Sequence, residues 1–134
     1  MSGGLHFREV DAAAWRARWP NFAPHEIACR HCGMLVVHAP SIDALQRLRD
    51  ALGVSVHLNC AYRCPIHNAM VGGAPLSQHK LGRAFDIALR GFEREHLVAA
   101  ARDAGFTGLG FYNTFQHIDT GRRRQWDHRR ANHG

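Results

Sequence analysis

The stretch Ser77-Gln78-His79-Lys80-Leu81-Gly82-Arg83-Ala84-Phe85-Asp86 constrains the chain more than any other. It sets a histidine and, seven residues on, a carboxylate either side of Gly82 and Ala84. Small residues there let the backbone come close to whatever the two side chains hold. Ala84-Phe85 and Ile87-Ala88-Leu89, flanking Asp86, read as a short buried strand. A second histidine on a strand-like run, His117, lies in Phe115-Gln116-His117-Ile118-Asp119. Two imidazoles and a carboxylate suit zinc, and catalytic zinc keeps three protein ligands with one position open. His79, Asp86 and His117 are therefore expected to share one catalytic zinc ion, which brings the pKa of a bound water towards ~7.

Further elements surround this set in a fixed order. Asn59-Cys60-Ala61-Tyr62-Arg63-Cys64-Pro65 comes first, then Asn68 and Val71-Gly72-Gly73-Ala74, and Gly108-Leu109-Gly110-Phe111-Tyr112 precedes the second histidine. Together with Ser-x-His-x-x-Gly-x-Ala-x-Asp and aromatic-x-His-x-Asp, they resemble the zinc peptidases of the D-alanyl-D-alanine carboxypeptidase-like superfamily, over roughly residues 20 to 126. That group includes DD-carboxypeptidases, dipeptidases and phage L-alanyl-D-glutamate endolysins, and shares its fold with Hedgehog signalling domains. The resemblance implies an α+β fold, a small, mainly antiparallel sheet with helices packed on one side. It also implies three segments: residues 1–19 with a short helix, a zinc peptidase domain over 20–126, and a basic tail over 127–134.

The chain has 134 residues, enough for one domain with one sizeable core. No apolar run is long enough to span a membrane. The N-terminus lacks a basic region followed by an apolar segment, so no signal peptide is expected. A wall-directed protein of this kind is made in the cytoplasm and reaches its substrate through lysis or as part of a particle. The net charge of +6 is concentrated late, in Arg122-Arg123-Arg124 and Arg129-Arg130. Apart from Trp126, no aromatic residue interleaves there as in single-strand binders, so nucleic acid is not the expected partner. The same charge would attract anionic wall polymers, or simply solvate a tail.

Cys29-x-x-Cys32 and Cys60-x-x-x-Cys64 both fall in loops. The four can form a second, structural zinc site, make disulfides after export, or stay as reduced thiols; without an export signal, metal or reduced thiols are favoured.

Along the chain, residues 1 to 9 are expected to be mobile. Asp11 opens a helix that Pro20 ends, and Pro24 begins a brief one. Leu35-Val36-Val37 reads as a short strand. Ser41 is read as the cap of a firmer helix whose Ile42, Leu45, Leu48 and Leu52 line one face, with Gly53 as its stop. Val54 to Leu58 alternates like a strand, with His57 facing away from Val54, Val56 and Leu58. Helices are expected from Pro65 to Met70 and from Phe92 or Glu93 to Ala104, and strands over 108–112 and 115–119. The stretch after Gly121 reads as extended, with Trp126 as its one anchor.

The resemblance assigns Arg63 to substrate or to the transition state, since its planar fork fits a carboxylate or an oxyanion; the plain alternative is a structural salt bridge. Tyr62, Ser77 and Gln78 are expected to line the pocket. Many relatives carry a general-base carboxylate three positions before the second histidine, where this chain has Thr114. Asp119 shares a strand face with His117 and is either that base or a residue holding a ligand or Arg63 in place. His31, His38, His67, His96 and the C-terminal histidines show no partner pattern and are read as surface. The implied function is a zinc-dependent peptidase acting on peptidoglycan peptides, in a compact form like phage lysis or tail-associated enzymes with phage tail proteins as partners. The alternative is a zinc-containing binding module.

Overall fold

Pro40 decides where the longest helix begins. In the computed structural model, which describes residues 4–130, helix α3 runs Ala39–Leu52 with the proline in its first turn. Proline's fixed φ suits that position, and its missing N–H would have no partner there anyway. Ser41, expected as the cap, therefore lies inside the helix; its hydroxyl sits 2.6 Å from both His38 Nδ1 and the Thr120 hydroxyl. Ile42, Leu45 and Leu48 are fully buried. Gly53, at φ +69°, ends the helix in the left-handed conformation.

Helix α3 packs on the later helix Arg94–Ala104, α5 in the numbering that follows. Arg47 reaches across and donates from Nε and Nη2 to the Ala104 carbonyl, satisfying a terminal acceptor. The shorter helices are α1 (Ala12–Arg18), α2 (Pro24–Ile27) and α4 (Pro65–Met70). Helix α1 starts at Asp11, whose Oδ1 accepts from the Ala13 and Ala14 amides.

Strands β1 (Leu5–His6) and β2 (Met34–Leu35) form an antiparallel pair. Residues 4–9, expected to be mobile, are thus held by pairing and by Leu5 and Phe7 packing on the core; residues 1–3 lie outside the described residues. The main sheet contains β3 (Leu58–Cys60), β4 (Ala84–Ala88), β5 (Gly108–Phe111), β6 (Phe115–Asp119) and β7 (Arg124–Asp127). Its spatial order is β3-β4-β6-β5-β7, antiparallel throughout except for the parallel β5–β7 pair. This is the expected α+β arrangement. Phe85, Ile87, Leu109 and Ile118 point from the sheet into one core with Leu45, Leu48, Leu97 and Phe106. Strand alternation turns Asp86 and His117 to the opposite face.

Two expectations at the sheet edges change. The strand read over 54–58 begins only at Leu58, because β4 offers partners to Leu58 and Cys60 while Val54 is half exposed. At the other edge, the segment after Gly121 is a strand of the sheet. Pairing continues past residue 126, where the domain was expected to end: the His128 amide donates to the Phe111 carbonyl and the Arg130 amide to Asn113 Oδ1. Residues 131–134 of the expected tail lie outside the described residues. Among the described residues, no helix is long and apolar enough to cross a membrane.

Candidate metal centre

The register of the sheet lines up one row of side chains across five strands. Cys60 pairs with Asp86, Asp86 with His117, His117 with Gly110, and Gly110 with Trp126. His79 joins the row from a short 3-10 turn, Gln78–Leu81, just before β4. His79 Nε2 lies 3.1 Å and His117 Nδ1 3.0 Å from the same oxygen, Asp86 Oδ1. The three residues named from the sequence thus meet at one point, with both histidines buried and Asp86 nearly so.

The outer nitrogens of both rings are committed. His79 Nδ1 is 2.6 Å from the Ala61 carbonyl, which can only accept. His117 Nε2 is 2.7 Å from Asp119 Oδ2. Each ring therefore carries its hydrogen on the outside, and in its neutral form turns a bare lone pair towards the Asp86 carboxylate. Acceptors facing acceptors repel unless a cation sits among them. The charge balance leans the same way. Burial disfavours the charged ring of His79, but Asp86 and Cys60 beside it raise its pKa overall. His117 is likewise raised against its burial, by Asp119 and Asp86. Burial pushes the Asp86 carboxyl up, yet the two rings hold it well below the usual carboxylate range. Two imidazoles with fixed tautomers and one carboxylate oxygen are a donor set that fits zinc.

Asp119 is fully buried and fully occupied. Oδ1 accepts from the Gly121 amide and from Arg124 Nη1, both at 2.9 Å; Oδ2 lies 2.8 Å from Arg124 Nη2, in addition to His117. Burial raises its pKa, but His117 and Arg124 bring it down to about 2. Arg124 reaches it from β7 across β5, and Gly108 makes that possible: a Cβ there would overlap the Asp119 carboxylate and the Arg124 guanidinium. Gly110 does the same for Trp126, whose indole covers the strand and lies 5.0 Å, ring centre to ring centre, from His117. Trp126 in turn donates to the Tyr112 hydroxyl at 2.9 Å.

The row opens into a cleft of about 1030 Å³, lined among others by Arg63, Ser77, Gln78, Arg83, Tyr112 and His128. Arg63 Nε, Gln78 Oε1 and Arg83 Nε are buried without a hydrogen-bond partner. Among the described residues Arg63 makes no ion pair, so the structural salt bridge weighed for it is not formed. Ser77 and Gln78 line the cleft. Tyr62 does not; its ring is buried and its amide donates to the Ile27 carbonyl. Thr114 is exposed and does not line the cleft. Sequence reading missed Arg83, Arg124, Tyr112 and His128. Arg83 stands inside the histidine motif itself; Arg124 had no signal beyond belonging to a run of arginines.

The four cysteines separate. Cys60 sits beside the row, its Sγ 3.8 Å from His79 Nδ1, and offers a ligand atom within 4.8 Å of those of His79 and Asp86. Cys29, Cys32 and Cys64 gather elsewhere, with their sulfurs within 4.8 Å of one another. The grouping of all four, one of the alternatives weighed from the sequence, is not formed, because β3 fixes Cys60 opposite Asp86 while the chain turns before Cys64 caps α4. All four are free thiols. Burial raises the Cys29 pKa, but hydrogen bonds from the Cys64, His31 and Cys32 amides and from His67 bring it down to about 6.

An α+β sheet carrying two histidines and an aspartate in an open cleft is an arrangement suited to a metal-dependent hydrolase. The chain belongs to the peptidase M15 family, whose model matches residues 20–120. M15 peptidases are zinc-dependent. No curated protein matches the chain.

Proposed function

We propose that the protein is a zinc-dependent metallopeptidase that hydrolyses peptide bonds in peptidoglycan stem peptides or cross-links, used in phage lysis or as a tail-associated enzyme. The observation that carries the reading is the meeting of His79 Nε2, His117 Nδ1 and Asp86 Oδ1, with the outer nitrogens held by Ala61 and Asp119. These three side chains would hold the ion, which supplies Lewis-acid polarisation of a carbonyl and an acidified water.

The chain's own residues supply the rest. Asp119 has no oxygen left to take a proton from the cleft, so its role is to hold the tautomer and orientation of His117. Arg63 and Arg83 line the cleft, each with a buried Nε that has no hydrogen-bond partner, and Arg122 lines it as well. Guanidinium groups without protein partners are suited to a substrate carboxylate and to the negative charge that grows on the scissile oxygen. Stem peptides rich in free carboxylates match a cleft of this charge. Gln78 Oε1, also unpartnered, can accept from a peptide N–H.

One observation favours a second reading, a zinc-containing module that binds wall peptide or a partner protein without cutting. Among the described residues Asp86 is the one carboxylate lining the cleft, and the position of the relatives' base carries the exposed Thr114. Digestion of purified peptidoglycan with and without chelator separates the two. Chelator-sensitive release of new amino termini is expected; binding without cleavage would establish the module instead. Mass spectrometry of the muropeptides released identifies the bond.

A further inference from the structure

We propose that Cys29, Cys32, Cys64 and His67 bind a second zinc ion in a closed structural site, separate from the cleft and independent of whether the cleft is a peptidase. The spacing is Cys-x-x-Cys followed, after a long interval, by Cys-x-x-His. Paired short spacings of this kind are how structural zinc sites take their ligands from two turns of the backbone. Tetrahedral zinc with bonds of about 2.3 Å to sulfur and about 2.0 Å to nitrogen separates its ligand atoms by about 3.5–3.8 Å. His67 Nδ1 lies 3.4 Å from Cys29 Sγ, and the three sulfurs fall within 4.8 Å of one another.

The backbone is already arranged for thiolates. The Cys64 amide points at Cys29 Sγ at 3.5 Å and the His67 amide at Cys64 Sγ at 3.3 Å. Gly33, directly after Cys32, takes φ +75°, and its amide donates to the Cys29 carbonyl, closing the turn that turns both thiols the same way. His31 also approaches Cys64, at 3.9 Å, but it is exposed and stacks on the outer side of the His67 ring. His67 is half-buried and lies beside Cys29, but its Nδ1 is not within 4.8 Å of all three sulfurs; as the fourth ligand its ring would close in on the ion. Cys60, the fourth thiol, belongs to the other centre.

The consequence for the molecule is a staple. Cys29 and Cys32 flank the turn between α2 and β2, while Cys64 immediately follows Arg63. The ion would tie the N-terminal segment to the loop that aims Arg63 into the cleft.

Elemental analysis of the full chain, purified reduced and loaded with zinc, is expected to find two zinc ions per molecule. His79→Ala should keep one and Cys64→Ser or His67→Ala the other, whereas His31→Ala should keep both. Exchange with cobalt reads the thiolates directly. Wild type and His79→Ala should show intense thiolate-to-cobalt charge-transfer absorption, and so should Cys60→Ser. Loss of that absorption in Cys60→Ser would place the thiolate-bound metal at the cleft and overturn the proposal. So would its absence from wild type, or a disulfide among Cys29, Cys32 and Cys64 in the protein as isolated. If Cys64→Ser fails to fold, the spectrum of Cys60→Ser still decides, as does zinc release in step with alkylation of these three thiols. Loss of the cleft zinc alone leaves this signature unchanged, so the two centres fail separately.

Discussion

At the scale of single residues, Asp119 separates two ways of using a carboxylate. A general base must face the water it deprotonates. Asp119 faces His117, Arg124 and the Gly121 amide instead, and is fully buried. Asp119→Asn should therefore lower zinc affinity about 10–100-fold, the usual effect of losing a residue that orients a metal-bound histidine. Activity should return when zinc is added to saturation, as a titration of rate against free zinc would show. Activity still lost at saturating zinc would mean that the carboxylate takes part in proton transfer. Arg63 offers the complementary case. Its guanidinium has no protein partner to satisfy, so Arg63→Lys should leave fold and zinc content unchanged. It should still lower kcat/KM on wall peptides by about tenfold or more, because an ammonium cannot reproduce the planar two-point contact. An unchanged kcat/KM would remove Arg63 from the site.

At the scale of elements, β5 works through what it lacks. Gly108 and Gly110 face β6 on one side and β7 on the other, and each leaves space that a side chain from β7 fills. Gly108→Ala should destabilise the protein by about 1–3 kcal/mol, the usual cost of forcing a methyl into an occupied site, read from the denaturant midpoint. A midpoint equal to wild type would mean that the Asp119–Arg124 pair is not held across this strand. His79, Asp86 and His117 were legible because a spaced ligand set leaves a local trace, and the Gly-x-Gly spacing was legible through the family resemblance. What the glycines make room for was not legible: it depends on a parallel strand contributed from beyond Gly121, and nothing local in Arg122-Arg123-Arg124 distinguishes the one arginine that turns inward. Ser41 misled for a related reason, since the helix start was decided by the neighbouring proline. A second inter-element tie joins α1 to α3, where Arg18 Nη2 lies 2.8 Å from Asp43 Oδ2 and Trp19 Nε1 donates to Oδ1. The Arg18 hydrogen bond, against some burial and with help from Trp19, holds the Asp43 carboxyl below its usual pKa. A carboxyl lowered in the folded state adds stability above its unfolded pKa of about 3.9 and loses it as the pH falls through the folded value. The gap in stability between wild type and Asp43→Asn should thus be present at pH 7 and vanish in stronger acid. At a pair this exposed it should amount to roughly 0.5–1 kcal/mol.

At the scale of the whole molecule, the expected division into leading segment, domain and tail meets a single network of contacts. Trp15 and Trp19 are buried in the same core as the sheet, and β7 closes the far edge. The family match ends at residue 120, before Arg124, so the matched region alone contains Asp119 without its cation. A chain ending at Gly121 would bury a carboxylate held only by His117 and one backbone amide. Removing one partner of a buried ion pair costs about 3–5 kcal/mol. Domains of this size have about 5–15 kcal/mol in total, so the truncated chain should lose about a fifth or more of its stability from this pair alone. It also loses the Trp126 indole from above His117. The expectation is that the chain ending at Gly121, compared with full length in denaturant after chelation, unfolds at a markedly lower midpoint or does not fold cooperatively. Restoring residues 122–130 with Arg124→Gln should recover the strand pairing and the indole but not the ion pair, giving an intermediate midpoint. A wild-type midpoint for the truncated chain would show that β7 is an appendage and that Asp119 is stabilised without it.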